Sequence, residues 1–188
     1  MHVPEADLPS NVALVRSLVN GIGRAVLDSV AQRMGDTVLL DMDSTASSWI
    51  VRTEFASLLG AGGRRVLTGA PDGGPAPTRW SVRGASLTVD YRDIRKPGIF
   101  SGPVANRVVS AGITSEVTAG GTIVFAGTMS RSVTDTVPEE RIAGIETGST
   151  GIATGKIPDL RSLDRYIEPF VIIGAAGVAI LLFFQVRS

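Results

Sequence analysis

The stretch TVLLDMDSTASSWIVRTEFASLLGAGGRRVLT, residues 37–68, decides the fold. It opens with the short apolar run 37–41 and closes with the run 64–68, and both have the length and composition of buried strands. Between them, residues 49–59 have the pattern of a helix that ends at the glycine-rich residues 60–63. A strand, a helix and a second strand in about thirty residues predict a βαβ unit with a right-handed crossover.

A helix is predicted before this unit. Apolar side chains recur every four residues over residues 11–34, and Gly35 supplies a stop signal, so the range is typical of one amphipathic helix. Gly21 and Gly23 lie inside the pattern, where each costs a helix about 1 kcal/mol relative to alanine. Their presence indicates close approach to a neighbouring backbone.

Antiparallel strands are predicted after the unit. From Trp80 onward, apolar and polar residues alternate with the period of two that is typical of half-buried strands. The glycine pair at 120–121 marks a hairpin. A three-residue loop, 119–121, would pair Val117 with Ile123 and keep the apolar residues of both strands on one face, so we predict that register. The predicted fold class is therefore α+β, a βαβ unit followed by antiparallel strands.

The C-terminal region carries the longest apolar run of the chain. Residues 169–186, PFVIIGAAGVAILLFFQV, are 18 consecutive residues without a formal charge. As a helix they would span about 27 Å, close to the ~30 Å hydrocarbon thickness of a bilayer. We predict a single-pass transmembrane helix here. Its small residues allow a second helix to approach closely, and the predicted packing face comprises Gly174, Ala175, Val178 and Ala179.

The predicted organisation has three parts: a small α+β domain over residues 1–137, a flexible linker or strap over 138–168, and the transmembrane helix over 169–186. Residues 1–10, MHVPEADLPS, have neither the basic nor the apolar region of a secretion signal. The basic residues that flank the span also favour a cytoplasmic domain. Removal of a signal peptide would place the domain in the periplasm instead. In either case the predicted location is the bacterial inner membrane.

Composition excludes several kinds of site. The 188 residues include 18 basic and 18 acidic side chains, no cysteine and one histidine. Without cysteine there are no disulfides, thiol nucleophiles or iron–sulfur ligands. The single histidine, His2, lies at a terminus that is expected to be frayed, so a serine–histidine–aspartate triad is not expected. The balanced charge argues against a general nucleic-acid binder. No cofactor or metal site is predicted.

Asp41 and Asp43 form the sharpest candidate for catalysis. The sequence Asp-Met-Asp-Ser-Thr follows an apolar strand and resembles the DxDxT motif of haloacid-dehalogenase-type phosphatases. The resemblance implies that Asp41 is a nucleophile and Asp43 a general acid and base, with magnesium beside the phosphate. However, the spacing to the next strand is too short for that family's flap, and the later strands are antiparallel. The interpretation that we favour is that these polar residues cap the following helix.

A second candidate site is the loop between two of the predicted strands. An exposed apolar pair flanked by cations would contact anionic lipid headgroups or a partner protein. The alternative is that the apolar pair folds back on the core. The residues of this candidate site are Arg92, Arg95, Lys96, Ile99, Phe100 and Arg107.

The order of elements over residues 14–135 carries a resemblance of its own. A long helix, the strand VLLD, a helix bearing Trp49, the sequence Gly-Arg-Arg-Val and a β-rich half resemble the α/β module of bacterial envelope proteins related to the curli-export lipoprotein. The resemblance implies a non-enzymatic role in assembly or transport and a periplasmic domain. The chain differs from that family by its C-terminal anchor and by having no lipoprotein cysteine.

Together these patterns predict a non-catalytic accessory subunit of a larger bacterial membrane complex, whether photosynthetic, respiratory or secretory. Its predicted partners are integral membrane protein subunits and the lipid bilayer. Two alternatives remain open. One is a membrane-tethered magnesium phosphatase, and the other is an anchored envelope domain that binds a small ligand or a peptide, which an exposed strand edge would serve.

Overall fold

The computed structural model describes residues 8–43, 47–69, 77–98, 101–146 and 154–155. The chain divides into two units, Met1–Lys156 and Ile157–Ser188, and every described residue lies in the first. The elements of this first unit are α1 (Asn11–Val30), β1 (Thr37–Met42), α2 (Ser48–Ala61), β2 (Arg65–Leu67), β3 (Thr78–Arg95), β4 (Val104–Ala119), β5 (Thr122–Pro138) and α3 (Glu139–Ile145).

The sheet is mixed and five-stranded, with the strand order β2-β1-β3-β4-β5. Strand β1 runs parallel to both β2 and β3, whereas β3, β4 and β5 form an antiparallel meander. The β1–α2–β2 segment is the predicted βαβ unit, and the predicted antiparallel strands follow it. Both predictions hold because they rest on local patterns of hydrophobicity that the sheet satisfies directly.

Helix α1 covers one face of the sheet. Ser10 caps it by accepting a hydrogen bond from the backbone N–H of Ala13 at 3.2 Å. The helix ends at Val30, four residues before the predicted end, and a turn follows. Its fully buried apolar residues, which face the sheet and α2, are Val15, Val19, Ile22, Val26 and Val30.

Gly23 is the close-approach position on α1. A Cβ atom there would lie 2.8 Å from both Leu58 Cδ1 and Phe55 Cε1 of α2. The predicted close contact is therefore real at Gly23, although its partners are side chains and not backbone. Gly21 faces the guanidinium of Arg131 instead, which is the end of a flexible side chain.

The β4–β5 hairpin has a two-residue turn, so the predicted three-residue loop is wrong. Ala119 pairs with Thr122, and Gly120 and Gly121 form the turn between them. Both glycines have positive φ angles, 57° and 79°. This is the backbone conformation that the tight hairpin turn needs and that glycine adopts without steric cost.

A bulge next to this turn resets the register. Thr118 pairs with Ile123, whereas Val117 pairs with Phe125 and not with the predicted Ile123, so Val124 is an extra residue on β5. A regular ladder from a two-residue turn would have directed the later apolar residues of β5 away from the core. The bulge returns them to the helix-covered face, and Ile123 is left 57% exposed.

The folded part of the chain continues past Pro138 into the range predicted as a linker. Helix α3 follows β5 directly, and its Ile142 and Ile145 are buried in the core. Two isoleucines three residues apart on one helix face are enough to bind this short element to the domain. The rest of the predicted linker, apart from residues 154–155, lies outside the described residues.

None of the helices within the described ranges has the length and apolar character needed to cross a membrane. The predicted transmembrane helix, 169–186, lies outside those ranges. So does its predicted packing face, Gly174, Ala175, Val178 and Ala179.

Candidate functional site

The aspartate pair lies at the end of β1. Asp41 is half-buried and pairs with Ser81 of β3, while Asp43 is exposed just beyond the strand. A cavity of about 10 Å³ beside Asp43 has room for one water at most. Residues 44–46 lie outside the described part of the chain. In the described part, no group of three or more histidine, cysteine, aspartate or glutamate side chains is placed to hold a metal ion.

The helix-capping interpretation of the aspartates is not what the described residues show. The N-cap of α2 is Ser47, which follows Asp43 by four residues. Asp41 is a strand residue, held in the ladder between β1 and β3. Neither carboxylate therefore occupies the cap position from which a side chain reaches the first free amides of a helix.

The cationic loop divides into two groups. Arg92, Arg95 and Lys96 are exposed at the end of β3, and Arg92 forms an ion pair of 3.3 Å with Asp90. Ile99 and Phe100 lie outside the described residues. This end of β3 thus carries three cations, with the carboxylates of Asp90 and Asp93 among them. The predicted contact of Arg92, Arg95 and Lys96 with lipid or a partner stays a prediction.

Arg107 contradicts its predicted exposure, because its side chain on β4 is fully buried. Its Nε donates to Oδ1 of Asp135 at 2.8 Å, and its Nη2 donates to Oδ2 of the same carboxylate. Its Nη1 donates to the backbone oxygen of Pro9 at 2.9 Å and to Oδ1 of Asn11 at 3.0 Å. Four of the five guanidinium N–H groups are thus bonded inside the fold, which makes Arg107 a structural residue.

Tyr91 of β3 extends this network. Its hydroxyl accepts a hydrogen bond from Nδ2 of Asn11 at 3.0 Å. Burial raises the pKa of the Tyr91 phenol above its ordinary value, and the hydrogen bond from Asn11 only partly opposes this effect. Gly155 packs on the Tyr91 ring, where a Cβ atom would lie 2.2 Å from Cε2, and its N–H donates to Oε1 of Glu146 at 2.8 Å. The network therefore fastens the start of α1 and residue 155 to the same end of the sheet.

The second face of the β3–β5 meander is open and carries mainly hydroxyl side chains. We call it the hydroxyl face. Alternation along each strand places these residues opposite the helices. They form rows across the three strands, such as Thr88–Ser110–Ser132 and Ser86–Gly112–Ser130. Asn106 and the half-buried Val108 of β4 also lie on this face, opposite Thr136 and Thr134. Its serine, threonine and glycine residues are Ser86, Thr88, Ser110, Gly112, Thr114, Thr128, Ser130, Ser132, Thr134 and Thr136.

The middle of the hydroxyl face is uncharged and slightly hollow. Gly112 lies at the centre of the face and has no side chain, and a depression of about 310 Å³ lies over it. Thr114 and Thr128 share a hydrogen bond of 2.8 Å between their hydroxyls beside this hollow. Charged side chains of the same face stand at its ends, Asp90 and Arg92 at one and Arg79 and Glu116 at the other.

Sequence reasoning missed both the buried network and the hydroxyl face, although signals for each were present. Counting back by twos from buried Val109 places Arg107 on the core face, and Asp135 lies two residues after half-buried Val133. The hydroxyl residues occupy the alternate positions between apolar ones. Their alignment into rows depends on the register of three strands, which composition alone does not provide.

Comparisons with known proteins assign neither a family nor a function to this chain. No family model and no curated protein matches this chain. Solved structures that resemble it include a minor lipoprotein from Acinetobacter baumannii, 7% identical over 63% of this chain and 84% of its own, with a TM-score of 0.39. Another is uncharacterized lipoprotein B from Nitrosomonas europaea, 8% identical over 63% of this chain and 74% of its own, with a TM-score of 0.40. Both are bacterial lipoproteins, and neither likeness assigns a function to this chain.

Proposed function

We propose that this chain is a non-catalytic accessory subunit of a bacterial inner-membrane assembly, and that the hydroxyl face is the surface that contacts a partner subunit. The observation that carries the proposal is the contrast between the two faces of the β3–β5 meander. One face is covered by α1, while the central part of the other presents ten serine, threonine and glycine residues of the three strands to the surroundings.

The chemistry of the hydroxyl face suits protein contact. Serine and threonine lose little rotamer freedom when they are buried, and each hydroxyl both donates and accepts hydrogen bonds. The uncharged centre around Gly112 has no ionic group to desolvate, and its hollow allows a partner backbone to approach closely. The charges near the ends of the face, such as Asp90 and Arg79, would form the rim of such an interface.

The buried charge of the domain supports a structural role over a catalytic one. Arg107 uses its donors on Asp135, Asn11 and the backbone of Pro9, all within the fold. The sequence adds the apolar run 169–186, whose length fits a single membrane span. Both features suit a rigid domain that a membrane segment holds beside its partners, which in this proposal are integral membrane subunits and the bilayer itself.

The test is purification of the full chain from membranes in mild detergent, followed by identification of the proteins that accompany it. Ser110→Arg places a large cation at the centre of the hydroxyl face, and Ser57→Arg makes the same change at an exposed position of α2. We expect roughly tenfold less partner with Ser110→Arg, because it lies at the centre of the interface, and unchanged partner with Ser57→Arg. Equal recovery with both variants, or native protein free of any membrane partner, would overturn it.

A further inference from the structure

Strand β5 is an edge strand along its whole length. It pairs with β4 on one side, and no described strand pairs with its other side. Natural edge strands are usually short, or are protected by charge, proline or bulges. β5 has 17 residues, and its bulge at Val124 and its proline at 138 lie near its two ends. The stretch 125–137 between them contains no proline and only two charged side chains, Arg131 and Asp135. An unprotected edge of this length is a surface for pairing with a further strand.

A groove accompanies this edge on the helix-covered side. It measures about 520 Å³ and lies between α1 and β5, where Leu14 and Leu18 are half-buried and Ser17 is exposed. Arg131 and Val133 form its other wall. A strand added to β5 would therefore find a half-buried apolar helix face above it as well as free backbone groups beside it.

The side chains of β5 are complementary to themselves in one antiparallel register. If Val133 lies opposite Val133 of a second copy, Arg131 lies opposite Asp135 of that copy, and Met129 opposite Val137. On the hydroxyl face the same register places Ser132 opposite Thr134. Cations thus meet carboxylates, apolar side chains meet apolar ones, and hydroxyls meet hydroxyls, which are the favourable cross-strand pairs of antiparallel sheets.

We propose that two copies of this chain pair along β5 in this register, with a twofold axis through Val133, to form one continuous ten-stranded sheet. Asp135 has room for the second cation, because its side chain is 29% exposed while it holds Arg107. The two grooves then face each other across the axis, so that the α1 helices cover them from both sides. This dimer leaves the hydroxyl face open. It can therefore form whether or not a partner subunit binds that face.

The absence of cysteine from the chain makes a clean crosslinking test possible. Val133→Cys in the full chain, solubilised in mild detergent and oxidised gently, places two thiols opposite each other at the axis. Ser57→Cys, exposed on α2 and away from both the β5 edge and the hydroxyl face, is the matched control. We expect a disulfide-linked dimer from Val133→Cys and mostly monomer from Ser57→Cys.

A second substitution tests the register. Arg131→Glu puts a carboxylate opposite each Asp135, and because the change occurs twice in the dimer we expect association to weaken by roughly tenfold. Arg24→Glu, on the exposed side of α1, is the control for net charge and should leave association unchanged. Equal crosslinking of both cysteine variants, crosslinking of the Val133→Cys chain to a different protein in place of a second copy, or an unaltered dimer with Arg131→Glu would overturn the proposal.

Discussion

Arg107 and Asp135 face each other across β4 and β5 and are joined through two nitrogens of the guanidinium and both oxygens of the carboxylate. The arginine is fully buried, and its remaining bonds reach the residues that begin α1. This pair therefore fixes both the hairpin and the position of the helix on it.

Arg107→Met should destabilise the protein strongly. It leaves Asp135 without its cation and removes the hydrogen bonds that Arg107 donates to Asn11 and to the backbone oxygen of Pro9. Breaking one side of such a pair costs about 3–5 kcal/mol. Arg92→Met is the matched control, because Arg92 is 62% exposed and its ion pair with Asp90 is worth less than about 1 kcal/mol. Chemical denaturation of both variants measures the difference, and equal losses would contradict the structural role of Arg107.

The βαβ unit and the strand meander were predictable because each rests on short-range patterns. Residues 37–68 contain their own strand, helix and stop signals, and the alternation after Trp80 is visible without any tertiary contact. The hairpin register was not predictable in the same way. The two-residue glycine turn sets one register, whereas keeping the apolar residues on the core face needs another. A bulge at Val124 accommodates both, and only the folded sheet shows it.

The candidate sites show the same limit. Arg107 and Asp135 are 28 residues apart, and each by itself has the character of a surface charge. Their pairing depends on the register of β4 against β5, which the sequence analysis placed wrongly. The hydroxyl face likewise exists only when three strands align Gly112 with Ser86 and Ser130. Sequence patterns therefore did not predict which residues pair when those residues lie far apart in the chain.

Tyr91 should ionise above the ordinary tyrosine pKa of about 10, because burial disfavours its phenolate. Since the unfolded chain releases this proton at a lower pH than the folded one, Tyr91 contributes stability that is complete below pH of about 10 and is lost as pH rises through the folded pKa. Ultraviolet titration of Tyr166→Phe, which leaves Tyr91 as the sole tyrosine, measures the shift. A titration at or below the ordinary value would contradict the buried position of the ring.

Gly23→Ala should destabilise the protein, although alanine favours helices by about 1 kcal/mol. Its Cβ atom would press on Phe55 and Leu58, and overpacking of this kind typically costs about 1–3 kcal/mol. Gly21→Ala is the matched variant in the same helix, and it should be neutral or stabilising because the Arg131 side chain can move away. Thermal unfolding of the two variants should therefore show shifts of different size, and an equal gain in both would contradict the α1–α2 contact.

Asp41→Asn should leave phosphate release from a generic phosphoester at background level, the same as in the native protein with magnesium. The reason is that Asp41 lies in the strand ladder opposite Ser81, and the proposed function involves no catalytic step. Asp28→Asn, on the exposed surface of α1, controls for the loss of one charge. Magnesium-dependent release by the native protein that disappears only in Asp41→Asn would establish the phosphatase instead.

Site-specific photocrosslinking in intact cells shows whether the hydroxyl face contacts a membrane partner. A photoreactive residue replaces Ser110 at the centre of the face, or Ser57 on α2 as the control. We expect a defined adduct with an integral membrane subunit from position 110 and none from position 57. Failure of position 110 to form any adduct with a membrane protein, or equal adducts from both positions, would contradict it.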